Sequence, residues 1–170
     1  MKTSAELKEL VSNVPDFPKS GIVFRDISPL LMNHFDDTIQ AMCDLLTDAE
    51  WDEIDALAGI ESRGFIFAAA MAQKMGKGMV LIRKPGKLPN VAASESYDLE
   101  YGSATLEMQA GEGNLFLVDD VLATGGTLHA AASLTANVGY SVKGMACLIN
   151  LKDLNDFQWN GMQCRSVIEY

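Results

Sequence analysis

Apolar positions along the chain change period several times, and the changes mark out its elements. Leu7, Leu10, Val11 and Val14 recur at helical spacing and predict a short amphipathic helix. Two prolines and a glycine in Pro15-Asp16-Phe17-Pro18-Lys19-Ser20-Gly21 end it in an ordered turn. Ile22-Val23-Phe24 reads as a short extended piece, and Arg25-Asp26-Ile27-Ser28-Pro29 as a polar interruption. Over residues 35–51, Phe35, Ile39, Met42, Leu45, Leu46 and Ala49 share one face and predict a second helix, with Asp36, Asp37, Asp44 and Asp48 in solvent. Residues 54–60 read as a buried strand, 61–64 as a sharp polar corner, 65–75 as an Ala-rich helix and 79–82 as the next strand. That spacing implies a right-handed crossover and parallel pairing.

Periodicity then fades over residues 83–100, and 101–108 alternates like one arm of a hairpin. A loop this long in a compact domain is usually functional, often a lid. A buried strand ending in Leu117-Val118-Asp119-Asp120-Val121-Leu122, a helix over 127–137 and another buried strand over 142–151 follow. Residues 153–163 are polar, and Val167-Ile168 is a final extended piece. The sum is one domain over residues 1–170 in the α/β class, with a central, mainly parallel sheet and helices on both faces.

The informative chemistry lies where the strand of residues 117–122 meets the next helix. Ala123-Thr124-Gly125-Gly126-Thr127 is a small-residue loop at a helix start, where backbone N–H groups converge and the helix dipole favours an anion. Asp119 and Asp120 beside it would repel a bare phosphate. They make sense for a ligand that also offers hydroxyl donors, and a ribose 5-phosphate offers both. Two more strand ends carry polar clusters, Glu61-Ser62-Arg63-Gly64 and Arg83-Lys84, with Lys87 close behind. Ligands of open parallel sheets sit at the carboxyl ends of the strands, so the three clusters are expected to meet there, with Arg63 and Lys84 facing the acids.

A formal charge of −10 argues against a nucleic-acid or membrane-surface binder, so an anionic ligand must be held by a local site. No run is long and apolar enough to span a membrane, and the start of the chain lacks a signal-peptide core. Cys43, Cys147 and Cys164 are odd in number and unpatterned, which suits reduced thiols in a cytoplasmic protein and gives no metal-ligand set.

The string Val118-Asp119-Asp120-Val121-Leu122-Ala123-Thr124-Gly125-Gly126-Thr127 resembles the phosphoribosyl-diphosphate signature of the type I phosphoribosyltransferases. Phe17-Pro18-Lys19-Ser20-Gly21, Val23-Phe24-Arg25-Asp26-Ile27-Ser28-Pro29, Ala58-Gly59-Ile60-Glu61-Ser62-Arg63-Gly64-Phe65, the stretch from Ile82 to Pro89 and Ser96-Tyr97-Asp98-Leu99-Glu100-Tyr101-Gly102 resemble the adenine-specific branch of that family. The likeness runs from about Phe17 to Gly126, with the terminal Glu169-Tyr170 similar to the family's end; Glu61 stands where many members have Asp.

The resemblance implies a reaction of adenine with phosphoribosyl diphosphate to give AMP and diphosphate, with Mg²⁺ held mainly by the substrate and no metal site of the protein's own. It implies that Ala123, Thr124, Gly125, Gly126 and Thr127 hold the 5-phosphate, and that Asp119 and Asp120 hold the ribose hydroxyls and favour the developing positive charge. Glu61, Ser62, Arg63, Arg83, Lys84 and Lys87 would bind diphosphate, some of them across a homodimer interface. In that family the peptide at the Glu61 corner can be a non-proline cis bond, which the sequence does not decide. Val23, Phe24 and Arg25 would line the adenine subsite in a hood over about residues 1–33. A lid loop over about 84–104 would close and bring Glu100 to the purine as general acid/base or as a positioning group. Two rivals are an enzyme for a 6-oxopurine, using a lysine such as Lys143, and a non-catalytic phosphoribosyl-diphosphate sensor, for which this acidic chain has no DNA-binding addition.

Overall fold

Five strands that are apolar on most positions pair in parallel at the centre of the molecule, a computed structural model that describes residues 1–99 and 102–170. In chain order the elements are α1 (Ser4–Glu9), β1 (Ser12–Pro15), β2 (Val23–Asp26), α2 (Ser28–Asn33), α3 (Phe35–Cys43), α4 (Asp48–Glu53), β3 (Ala56–Ile60) and α5 (Gly64–Met75). They continue with β4 (Gly78–Ile82), β5 (Val91–Leu99), β6 (Gly102–Gln109), β7 (Asn114–Leu122), α6 (Gly126–Asn137), β8 (Ser141–Asn150), a 3₁₀ turn (Lys152–Leu154) and β9 (Cys164–Glu169). The sheet order is β4-β3-β7-β8-β9. Its pairings are all parallel.

Alternation along the strands feeds two cores. Leu57, Phe116 and Val118 face Phe67 and Met71 of α5 and Met42 of α3. Ala58, Leu115 and Leu117 face Leu128 and Ala131 of α6, joined by Leu106 and Met108 of β6. Helices therefore cover both faces, as the sequence predicts. The strand that follows β3 through α5 pairs on one side of it, and β7 pairs on the other. The crevice above β3 and β7 is thus the topological switch point, where open α/β sheets place their ligands.

Four expectations need correction. The first helix stops at Glu9, and Val14 belongs to β1, where it pairs with Phe24 of β2 in an antiparallel hairpin. The apolar face over residues 35–51 is two helices rather than one. Thr47 and Glu50 form a reciprocal capping box that starts α4 afresh, and a cap of this kind stabilises a helix end by about 1 kcal/mol. The polar interruption after Asp26 contains α2. Much of the stretch expected as a loop over 84–104 is strand: β5 and β6 pair antiparallel from Val91–Gln109 to Leu99–Gly102. The base of this hairpin is joined to β4, since Arg83 and Glu107 exchange backbone bonds of 3.0 and 2.7 Å.

One glycine lets two strand ends come together. A Cβ on Gly64, at the start of α5, would lie 2.7 Å from the Val118 carbonyl oxygen and 3.2 Å from the Asp119 Cα. Gly64→Ala forces backbone to move. It is expected to lower the unfolding free energy by roughly 1–3 kcal/mol in a urea titration, and an unchanged midpoint would contradict the close packing.

Candidate active site

The crevice above β3 and β7 is a cleft of about 510 Å³. Its floor is Asp119 and Asp120, at the end of β7. The corner from Glu61 to Arg63 and Lys84 wall one side, and Val23, Phe24 and Arg25 of the β1–β2 hairpin wall another. Ala123 and Thr127 close a third side. The remaining loop residues, Thr124, Gly125 and Gly126, line an adjoining recess of about 150 Å³ that also touches Asp119 and Leu99. Asp119 borders both spaces.

The recess is built from backbone. Gly125 takes a left-handed φ of +93°, which turns the chain into α6, and no side chain caps that helix start. A Cβ on Gly125 would lie 2.8 Å from the Phe157 ring. A Cβ on Gly126 would lie 3.4 Å from the Asp98 carbonyl oxygen, so the far end of the β5–β6 hairpin rests directly on this loop. Asn155 steadies it from behind: its side-chain amide donates to the carbonyl of Ala123 at 2.8 Å and to that of Leu151 at 2.9 Å. A single asparagine in a polar stretch gives no sequence signal, and neither does Tyr97 or Leu151, which also line the cleft.

The two acids have different surroundings. Asp120 is buried and meets Arg63, Nε to Oδ2 at 2.5 Å. The same guanidinium lies 5.6 Å from the Phe24 ring centroid, so it touches hood and floor together. Asp119 accepts the Asp120 backbone N–H at 2.9 Å. Burial first, and then the charge of Asp120, push the Asp119 carboxyl well above its usual range.

The cation cluster is not free. The Glu61 carboxylate, almost fully buried, receives Lys87 Nζ at 2.9 Å, Arg83 Nε at 3.2 Å and the Lys84 backbone N–H at 2.9 Å. Burial alone would raise its pKa, but the bonds from Lys87, the Lys84 amide and Arg83 prevail and hold it at about 2. Lys84 lines the cleft; Arg83 and Lys87 stand behind it on Glu61. The Glu61–Ser62 peptide is cis. Glu100, expected at the lid, lies outside the described residues. Lys143 sits at the opposite end of the sheet, early in β8, 3.9 Å from Glu53. Among the described residues no group of three or more His, Cys, Asp or Glu could hold a metal ion, and no helix is long and apolar enough to cross a membrane.

An amide loop, a diacid and a cationic corner thus meet at the switch point of a parallel sheet. The family profile described as phosphoribosyl transferase domain matches residues 33–158. Adenine phosphoribosyltransferase of Hydrogenovibrio crunogenus is 58% identical over 96% of this chain and 96% of its own. The crystal structure of adenine phosphoribosyltransferase from Thermoanaerobacter pseudethanolicus superposes with a TM-score of 0.87 at 36% identity, covering 99% of this chain and 100% of that one. That of Saccharomyces cerevisiae, complexed with D-2,5-dideoxy-2,5-imino-altritol 1,6-bisphosphate and adenine, gives 0.84 at 33% identity, covering 96% of each chain. The chain belongs to the adenine phosphoribosyltransferase family.

The shifted acids give opposite responses to pH. Asp119 binds its proton more tightly folded than unfolded, so its stabilisation is present below the unfolded pKa of 3.8 and is lost as pH rises through the folded value. Glu61 is the reverse: its contribution is present above 4.5 and is lost as pH falls towards about 2. Asp119→Asn is expected to raise Tm at pH 7 by roughly 2–4 °C, a gap that closes near pH 4. Glu61→Gln is expected to lower Tm at pH 7, by less as the pH falls below about 4. Equal pH dependence in both variants would contradict the electrostatics described.

Proposed function

We propose that the protein transfers the 5-phosphoribosyl group from phosphoribosyl diphosphate to adenine, giving AMP and diphosphate. One observation carries this reading beside the family: Asp119 borders both the amide-lined recess and the larger cleft. A 5-phosphate in the recess puts a ribose over the diacid, its C1 towards the cationic corner and the hood.

In this reading the C1–O bond to diphosphate breaks first, and the electron pair leaves with diphosphate. Positive charge develops on C1 and the ring oxygen. A purine nitrogen then supplies its lone pair to C1 and loses its proton. Ala123, Thr124, Gly125, Gly126 and Thr127 anchor the 5-phosphate through backbone N–H groups and hydroxyls. Asp119 and Asp120 hold the 2- and 3-hydroxyls, and the charge of Asp120 favours the cation. Ser62, Arg63 and Lys84 receive the diphosphate. Glu61 serves by holding Arg83 and Lys87, whose charges sit one layer behind. Val23, Phe24 and Arg25 form the base subsite. The β5–β6 hairpin acts as the lid, fixed at its base and resting its far end on the phosphate loop, and Glu100 takes or positions the purine proton.

Mg²⁺ carried by the substrate would supply charge neutralisation on the leaving diphosphate. The donor set fits an ion carried by the substrate: two adjacent carboxylates face the cleft, and Mg²⁺ is commonly held by one or two carboxylates plus substrate phosphates. In this reading the enzyme works as a homodimer, to which the exposed apolar side chains of Phe17, Val23 and Met32 are available. Three free thiols support a cytoplasmic setting.

Diphosphate release with adenine, guanine or hypoxanthine tests the reading: turnover is expected with adenine, and activity with none of them would contradict it. Asp120→Asn is expected to lower kcat by about 100-fold, because it removes a charge aimed at the developing cation. Glu100→Gln is expected to lower it by about tenfold or less. Equal or reversed losses would overturn the assignment of roles.

A further inference from the structure

The β1–β2 hairpin that walls the base subsite is a two-stranded sheet of its own, with no ladder to the five central strands. No backbone ladder to the central sheet sets its placement over the cleft. Among the described residues, two cation–ring contacts join it to the body of the molecule: Arg63 on Phe24, and Arg25 on Tyr170. The second is the closer, with the guanidinium carbon 3.8 Å from the ring centroid.

Tyr170 follows β9 and is not part of the cleft lining. Its backbone extends the central sheet: its N–H donates to the Asn150 carbonyl at 3.0 Å, and its carbonyl accepts the Lys152 N–H at 2.8 Å. Its ring also receives Lys8 Nζ at 4.3 Å, and its hydroxyl donates to the Lys8 carbonyl at 3.4 Å. The phenol is therefore held by the sheet and by α1. Arg25 lies against it and donates across the hairpin to the Asn13 side-chain oxygen. A fixed ring thus sets the position of a guanidinium, and the guanidinium sets the position of both hairpin strands.

We propose that Tyr170 is a positioning residue for the purine: by anchoring Arg25 it fixes the β2 backbone at the base subsite and so sets adenine affinity without touching the base. This rests on the reading that Val23, Phe24 and Arg25 line that subsite. A cation–ring contact of this closeness corresponds to roughly a tenfold factor in an equilibrium.

Steady-state kinetics of the full chain, varying each substrate in turn, tests it. Tyr170→Leu is expected to raise KM for adenine about tenfold, while kcat and KM for phosphoribosyl diphosphate stay within about twofold. Tyr170→Phe keeps the ring and is expected to behave as the parent. Arg25→Met leaves the packing of Tyr170 in place and is expected to raise adenine KM as well, and the double variant Tyr170→Leu with Arg25→Met no further than the larger single effect. The proposal is overturned if both KM values rise together in Tyr170→Leu, if Tyr170→Phe is as impaired as Tyr170→Leu, or if the Tyr170 and Arg25 effects multiply. Phe24→Ala separates the two levels of inference. If it raises adenine KM while Tyr170→Leu and Arg25→Met do not, the proposal alone fails. If none of the three moves adenine KM, the base subsite itself is misplaced and both fall. If Tyr170→Leu is too unstable to assay, Tyr170→Met, which removes the ring but keeps apolar bulk, decides: an unchanged adenine KM there overturns the proposal, and a rise of about tenfold upholds it.

Discussion

Two carboxylates on successive residues at the end of a central strand are an electrostatic liability, and much of the surrounding structure answers it. Asp119 is pushed towards its protonated form by burial and by Asp120. Asp120 is buried as well and is matched by Arg63 at 2.5 Å. That match exists only because Gly64 lets the Glu61–Arg63 corner lie against the Val118 carbonyl and the Asp119 Cα. Breaking a buried pair by removing one partner leaves an uncompensated charge, so the corner, the strand end and the start of α5 form one unit. A protein keeps such an arrangement where a ligand uses it, and a sugar with hydroxyl donors that develops positive charge is such a ligand.

The same charge economy extends to the cations. A chain of net charge −10 must assemble a binding place for a polyanion locally. Arg63, Arg83, Lys84 and Lys87 gather around two strand ends, where Asp120 pairs with Arg63, Glu61 pairs with Arg83 and Lys87, and Lys84 meets Glu61 through its backbone N–H alone. On the proposed reading, diphosphate competes with Asp120 for Arg63, which moderates affinity and permits product release.

The central sheet was legible because buried parallel strands read as near-continuous apolar runs, as in Ala56–Ile60 and in Leu115 to Val118 of β7. The small-residue loop after β7, the diacid and the corner were legible because each interrupts or ends such a run. The alternation of β6 marked one arm of a hairpin, but its partner β5 was not legible, since the inward face of β5 is Ala93, Glu95 and Tyr97, only half-buried and not an apolar alternation. The break between α3 and α4 was hidden because the apolar face continues across it while Thr47 and Glu50 cap the new start. The Glu61 carboxylate was read as part of the diphosphate site, but two cations and an amide already claim its oxygens. Asn155 and Tyr170 act through contacts distant in sequence, to Ala123 and Arg25, and periodicity carries no trace of those.

On the proposed reading, backbone amides of the loop hold a phosphate while the neighbouring acids hold the two hydroxyls of the sugar attached to it. A crystal structure with AMP measures this directly. The phosphate is expected within hydrogen-bond distance of the N–H groups between Ala123 and Thr127, and the ribose hydroxyls on Asp119 and Asp120. A nucleotide bound with its phosphate outside the recess lined by Gly125 and Gly126, or with its diol turned away from both carboxylates, would contradict it.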